Sequence, residues 1–322
     1  MQFPRARNRR LRLNPAIRAL TAENRLSRED FIQPLFVAPG TGVTEAIPSM
    51  PGVAHHSVDR LLEEARRLRE TGILAVLLFG IPAKKDERGS EAASPFGAVQ
   101  KAVAELKNAL PELYVITDVC LCAYTSHGHC GLLEEGRIDN DASLKVLAQV
   151  ALSHAKAGAD MVAPSDMMDG RVDAIRRRLD EEGFHDTAIM AYSTKYASAF
   201  YGPFRDAQHS TPQSGDRRSY QMHSANAREA MVEMERDLRE GADVLMVKPA
   251  LPYLDVIHAA RERFQSPIAA YHTSGEYAAV CAAAEKGWMD ADAALMESVL
   301  SMRRAGAGPI ISYAAKRLAS LL

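Results

Sequence analysis

The feature that most limits what this chain can fold into is a repeated junction, in which a helical pattern stops at a glycine and gives way at once to an apolar run. It occurs at Gly72, Gly158, Gly241 and Gly306. Glycine adopts the left-handed conformation of a helix C-cap without a steric penalty, so the chain leaves a helix and turns directly into a sheet. Apolar runs at 32–38, 73–79, 113–119, 159–163, 187–192, 243–248, 267–272 and 309–313 read as eight strands. Helical patterns at 58–70, 95–109, 142–157, 171–182, 225–240, 254–263 and 277–304 separate them, the last divided by Gly287, and 314–322 reads as a final helix. Runs that are apolar throughout belong to strands buried on both faces. Repeated β/α units with right-handed crossovers are best satisfied by a closed (β/α)8 TIM barrel of the α/β class. A doubly wound open sheet is the alternative, because closure is not visible in a sequence.

The 322 residues fit one such barrel, and a hydrophobic content of 47% supplies its core. Residues 1–30 stand apart as a basic, extended arm, with at most a short helix at 15–20, leaving 31–322 as the barrel. A net charge of −2 gives the body no reason to bind nucleic acid or a membrane surface. No apolar run approaches the ~18 residues of a membrane span. Arg5, Arg7, Arg9, Arg10 and Arg12 leave no room for the apolar centre of a secretory signal. The expected compartment is the cytoplasm, with an organelle as the alternative if the arginine-rich start is a transit remnant.

In a barrel, groups that do chemistry lie where strands end and βα loops begin. The run at 243–248 ends on Lys248, stopped by Pro249, and the strand before it leads to Lys195. An ammonium brought to the rim of an apolar core loses hydration, which favours the neutral amine, and a neutral amine attacks a carbonyl to form a Schiff base. The bland alternative for Lys248 is a side chain that reaches solvent where its strand stops. Neighbouring strands lie about 4.8 Å apart, so the two lysines can share a pocket. Of the four cysteines, Cys281 sits in an alanine-rich helical stretch as a small buried hydrophobe, whereas Cys120, Cys122 and Cys130 crowd after the third strand. Three thiolates leave one tetrahedral position open, the arrangement of a catalytic zinc; a closed structural site completed by His127 or His129 is the alternative.

The connection at 196–224 is far longer than an ordinary βα loop. It carries Tyr201, Gly202, Phe204 and Arg205, then Gly215, Arg217, Arg218 and Gln221. Such glycines and arginines suit a lid over a carboxylate-bearing substrate, since guanidinium forks bind carboxylates bidentately and closure excludes water; a solvated surface loop is the alternative. Ser274 and Tyr313, after the seventh and eighth strands, can supply hydroxyls to a second carboxylate.

Together, the segments 118–131, 193–195, 201–206, 215–221, 246–249 and 271–275, with 79–82 and 163–172, resemble the porphobilinogen synthase family, also called 5-aminolevulinate dehydratases, over nearly the whole chain. The resemblance implies a lyase that condenses two 5-aminolevulinate molecules asymmetrically to porphobilinogen with loss of water, on the route to haem and other tetrapyrroles. It implies that Lys248 forms the Schiff base with the first-bound substrate, whose carboxylate meets Ser274 and Tyr313. Lys195 then matches the second site, where Arg205, Arg217 and Gln221 hold the other carboxylate and Tyr201 and Phe204 line the substrate. Cys120, Cys122 and Cys130 match the ligands of a catalytic zinc, a Lewis acid for the second substrate. Asp118 matches a carboxylate beside that site, with proton transfer as its expected role.

Some family members carry Asp or Ala in place of these cysteines, but this chain keeps all three. Glu233 matches the ligand of an allosteric magnesium in some bacterial members, with Arg12 of a neighbouring subunit's arm as its companion. The family also implies a homo-octamer of arm-exchanging dimers. Two rivals predict otherwise. A class I aldolase on the same barrel needs one lysine and no zinc, and a zinc-stabilised scaffold with a nucleic-acid-binding arm has inert lysines and salt-sensitive binding.

Overall fold

The glycine junctions behave as the sequence predicts: Gly72, Gly158, Gly241 and Gly306 have φ of 87°, 104°, 109° and 115°. The structure, a computed structural model, describes residues 4–322. In the arm, α1 (Pro15–Leu20) starts with proline at a position where no N–H is needed, and the Asn14 side chain caps it by accepting from the Ile17 N–H. The barrel begins with β1 (Phe31–Val37), a small hairpin of β2 (Thr44–Ala46) and β3 (Ala54–His56), then α2 (Val58–Glu70), β4 (Ala75–Gly80), α3 (Ala98–Ala109) and β5 (Tyr114–Val119). A second hairpin, β6 (Leu132–Glu134) and β7 (Arg137–Asp139), precedes α4 (Asn140–Lys156), β8 (Met161–Pro164), α5 (Arg171–Glu181) and β9 (Ala188–Lys195). The chain continues through α6 (Gly202–Ala207), α7 (Arg228–Glu240), β10 (Val244–Lys248), α8 (Leu254–Arg263) and β11 (Ile268–His272). It finishes with α9 (Ser274–Glu285), α10 (Ala291–Ala305), β12 (Ile310–Ser312) and α11 (Ala315–Ala319).

The eight long-range strands lie in the order β1, β4, β5, β8, β9, β10, β11, β12, and β12 pairs back onto β1. Phe31 faces Ile310 and Ile32 faces Ile311 in that closing pair, so the sheet is a closed parallel barrel and the open-sheet alternative is excluded. Every residue of β1, β8, β11 and β12 is buried, as strands covered on both faces require. The helices cover the outside with one apolar stripe each; α2 buries Leu61, Ala65 and Leu68, spaced four and three apart. A buried bidentate ion pair, Arg171 with Asp237 at 3.0 Å for both contacts, ties α5 to α7. Among the described residues, no helix is long and apolar enough to cross a membrane.

Candidate active site

Plain alternation along β9 would put Tyr192 and Lys195 on opposite faces, because they are three residues apart. A bulge prevents this. Pairing between β9 and β10 passes from Leu245–Ala191 to Val247–Thr194, so Tyr192 and Ser193 together oppose Met246. The extra residue shifts the alternation by one. Lys195 becomes the direct register partner of Lys248, and both Nζ atoms face the Tyr192 ring, at 5.7 and 5.1 Å from its centroid.

Neither lysine reaches solvent: Lys248 is 3% exposed and Lys195 5%. The Lys248 Nζ lies over Tyr271 at 4.2 Å, Phe204 at 4.7 Å and Tyr201 at 5.4 Å. Ring faces attract a cation, but they do not replace its hydration. Burial therefore dominates, the Lys195 charge adds to it, and the Lys248 pKa falls from 10.5 to about 7. A large fraction of neutral amine is thus present near neutrality. Lys195 has a more polar setting, its Nζ donating to the Ser165 carbonyl. Asp118, on β5, has its pKa pushed up to about 6 by burial, against the pull of Lys195, the Ser165 hydroxyl and Lys248. One oxygen of that carboxylate is buried without a partner.

Cys120, Cys122 and Cys130 are all buried, and their sulfurs lie within 4.8 Å of one another. Cys120 and Cys122 approach to 3.4 Å. Zinc–sulfur bonds of about 2.3 Å in a tetrahedron bring sulfurs to about 3.8 Å, so these soft donors fit a thiophilic divalent ion. Burial drives the Cys120 thiol well above its ordinary range, whereas hydrogen bonds from Cys120 and Cys122, with Arg217 and Lys195 nearby, hold Cys130 well below it. The histidines are occupied elsewhere. His129 contacts the Tyr220 hydroxyl and the Ser214 carbonyl, and His127 contacts the Glu87 carbonyl and the His129 N–H. Among the described residues, no histidine lies with the three thiols.

The 196–224 segment covers the barrel mouth and is not a solvated loop throughout. Its first part folds into α6, where the sequence predicts a loop. Phe204 packs edge-on against Phe79 at 5.0 Å. The Tyr201 hydroxyl donates to the Lys248 carbonyl at 3.0 Å, and the Phe204 N–H donates to the Ser274 hydroxyl at 3.1 Å. A side chain at Gly275 would meet the Phe200 carbonyl oxygen at 2.5 Å, so glycine allows the lid to seat there. Farther along, Arg217 is buried and donates to Gly128 and Ser210 carbonyls, while its neighbour Arg218 is exposed. Arg217 and Arg205 each leave a buried Nε without a partner, and both polar atoms of the Gln221 side chain are likewise unpartnered. The three nitrogens among them, Nε of Arg205 and Arg217 and Nε2 of Gln221, are donors that a carboxylate would satisfy. On the opposite side, Tyr313 stacks on Phe36 and shares a 3.0 Å hydrogen bond with the Tyr271 hydroxyl.

Glu233 is not part of this mouth. It is half-buried on α7, accepts from Arg236 at 3.3 Å, and lines a cavity of ≈ 960 Å³ with Arg137, Asp169 and Tyr220 that extends to Gln221. Cys281, expected as a buried hydrophobe, is only half-buried. Tyr192, Tyr271, Ser165 and Gln208 belong to the site but had no role in the sequence reading. Gln208 brings its Oε1 to 3.7 Å from the Cys122 sulfur. Ser165 and Tyr271 lie inside segments that carry the family resemblance, whereas Tyr192, three residues before Lys195, reads by alternation as facing away from it and gives no such signal.

A closed parallel barrel with two buried lysines paired beside a three-thiol cluster is the architecture of a (β/α)8 enzyme with its polar groups gathered at one end of the strands. The chain matches the family described as Delta-aminolevulinic acid dehydratase over residues 5–321. Its relatives include the Delta-aminolevulinic acid dehydratase of Methanothermobacter thermautotrophicus, 57% identical over 100% of this chain and 99% of the relative. That of Bacillus subtilis is 52% identical over 98% of each. A solved structure of delta-aminolevulinic acid dehydratase (porphobilinogen synthase) from Toxoplasma gondii, in complex with the reaction product porphobilinogen, is similar with a TM-score of 0.96 and 47% identity. It covers 100% of this chain and 92% of its own. This chain belongs to the Delta-aminolevulinic acid dehydratase family.

Proposed function

We propose that this chain condenses two molecules of 5-aminolevulinate into porphobilinogen, with Lys248 and Lys195 as the two imine-forming amines. The observation that carries the reading is their direct register pairing in one buried mouth beside three thiols. The neutral Lys248 amine attacks the ketone of the first keto acid, and water leaves as the imine forms; Ser274 and Tyr313 receive that molecule's carboxylate. Lys195 takes the second keto acid, whose carboxylate meets the unpartnered donors of Arg205, Arg217 and Gln221. Asp118, with a pKa near 6, holds or releases a proton between the two lysines. Tyr201 and Phe204 seat the lid over the Lys248 pocket and exclude water. Cys120, Cys122 and Cys130 would hold zinc, which supplies Lewis-acid polarisation of the second substrate. A carbon–nitrogen and a carbon–carbon bond then join the two molecules, each lysine amine leaves as its bond to the substrate carbon breaks, and loss of protons completes the pyrrole, so the two waters lost in imine formation are the only ones released.

Glu233 is read as the ligand of a regulatory magnesium. Its half-buried carboxylate on the wall of the ≈ 960 Å³ cavity supports this, and Arg12 of a neighbouring subunit is its proposed companion. The arm exposes Leu11, Leu13 and Leu20, apolar surface that suits packing on other copies in a homo-octamer. A cytoplasmic location accords with this reading. A magnesium titration of zinc-replete protein that changes neither rate nor assembly would remove Glu233 from regulation.

Incubation with 5-aminolevulinate, with and without a zinc chelator, tests the function. Pyrrole should form, vanish on chelation and return with added zinc. Folded protein that makes no pyrrole under any metal condition contradicts the proposal and restores the single-lysine aldolase.

A further inference from the structure

Glu276 is a fully buried carboxylate that the chemistry above does not use. It is 3% exposed, at the third position of α9. One of its oxygens accepts from the Thr273 N–H, the ordinary link of a helix capping box. The other accepts at 2.6 Å from the N–H of Leu251, which is 25 residues away and lies on a different βα loop. A helix cap needs only the first of these bonds and is usually made at an exposed helix end.

The two loops that Glu276 joins carry the two groups assigned to one substrate. Leu251 lies three residues after Lys248, and Thr273 immediately precedes Ser274. The Lys248 carbonyl is held on its other side by the Tyr201 hydroxyl and the Tyr196 N–H, both at 3.0 Å, while the Ala250 N–H bonds the Tyr271 carbonyl at 3.0 Å. The Ser274 hydroxyl in turn receives the Phe204 N–H of the lid. Glu276 is thus the side chain beneath the platform on which the lid rests, bonded to both halves of it. Burial pushes its pKa up to about 7, with the two N–H donors opposing that rise.

We infer that Glu276 is a positioning residue that fixes the span between the Lys248 amine and the Ser274 hydroxyl, and so selects keto acids whose ketone and carboxylate match that span. This rests on the assignment of Lys248 and Ser274 to one substrate, and it adds what holds them in register. Gln keeps the volume but presents an NH2 to one of the two N–H donors, so one loop is released. Misplacement on the ångström scale costs far more for a ligand held at two points than for one held at a single point.

The test compares two ketones trapped on the enzyme by borohydride: 4-oxopentanoate, the substrate without its amine, and 2-pentanone, which lacks the carboxylate. In the unaltered protein 4-oxopentanoate should be trapped faster. In Glu276→Gln the ratio of the two trapping rates should fall by about tenfold or more, with 2-pentanone trapping held within about threefold. A changed amine pKa moves both probes together, and loss of carboxylate repulsion raises the ratio, so neither mimics the expected result. Glu276→Asp, one methylene shorter, is run in parallel and should show the same fall, which keeps the test decisive if the Gln variant folds poorly. An unchanged ratio, or an equal loss for both probes, overturns the positioning role alone. An unaltered protein with no preference for 4-oxopentanoate overturns the Lys248–Ser274 assignment beneath it.

Discussion

The two lysines are the same residue at paired register positions, yet the halves of the mouth they occupy differ. Lys248 is walled by four aromatic rings, those of Tyr192, Tyr201, Phe204 and Tyr271. Lys195 donates to a backbone carbonyl and pulls on Asp118 more strongly than Lys248 does, although Asp118, Cys122 and Cys120 also act on Lys248. A dry aromatic wall suits an amine that must be neutral to attack. The polar half brings together a carboxyl near its titration point, guanidinium donors and soft metal ligands, which suits moving protons and holding a second, charged substrate. One bulged residue in β9 lets both halves share a lumen.

Replacing either lysine should break the comparison most strongly. Lys248→Ala should lower turnover by about 10⁴-fold and abolish borohydride trapping of 4-oxopentanoate. Lys195→Ala should also lose turnover but still trap that ketone on Lys248, as read by peptide mass spectrometry. Equal trapping losses in both variants would mean that the halves are not specialised. Asp118→Asn should slow turnover by about 10²- to 10³-fold with zinc content unchanged; unchanged turnover would remove Asp118 from the mechanism.

The pH dependence sharpens the contrast further. The Lys248 pKa is depressed, so neutral amine is lost as pH falls through about 7, and the single-turnover imine rate should drop by about tenfold per unit below that value and level off above it. The linkage has the same sign. Between about 7 and 10.5 an unfolded lysine keeps a proton that Lys248 has released, so the penalty for burying Lys248 is largest below pH 7 and eases as pH rises. A rate that keeps climbing to pH 10 would show an unperturbed amine. The smallest effect is expected for Tyr192→Phe, which keeps the ring that both lysines face and deletes a buried hydroxyl without a partner. Stability should stay within about 1 kcal/mol or rise, as measured by denaturant unfolding.

Much of this was legible because it is written in local pattern. The apolar runs give every barrel strand within a few residues, and the glycines mark where helices end. The small hairpins escaped for identifiable reasons. Thr44–Ala46 is exposed and short, and the β6–β7 turn uses Glu135 and Gly136 at φ 48° and 77°, a left-handed pair without the usual Asn or Asp signal. Helix α6 has only six residues, too few to show a period. In the site, lysines, thiols and arginines announce themselves by residue type. The Tyr192 bulge and the Glu276 bond to Leu251 do not, because each depends on which strand or loop lies alongside, and that is settled only when the barrel closes.

The account turns on Lys248 being the first amine to react. Substoichiometric 5-aminolevulinate, borohydride reduction and site-resolved peptide mass spectrometry measure this directly. The adduct should appear on Lys248 well before any on Lys195. An adduct that appears first on Lys195, or equally on both, would contradict the division of the mouth into a dry attacking half and a polar receiving half.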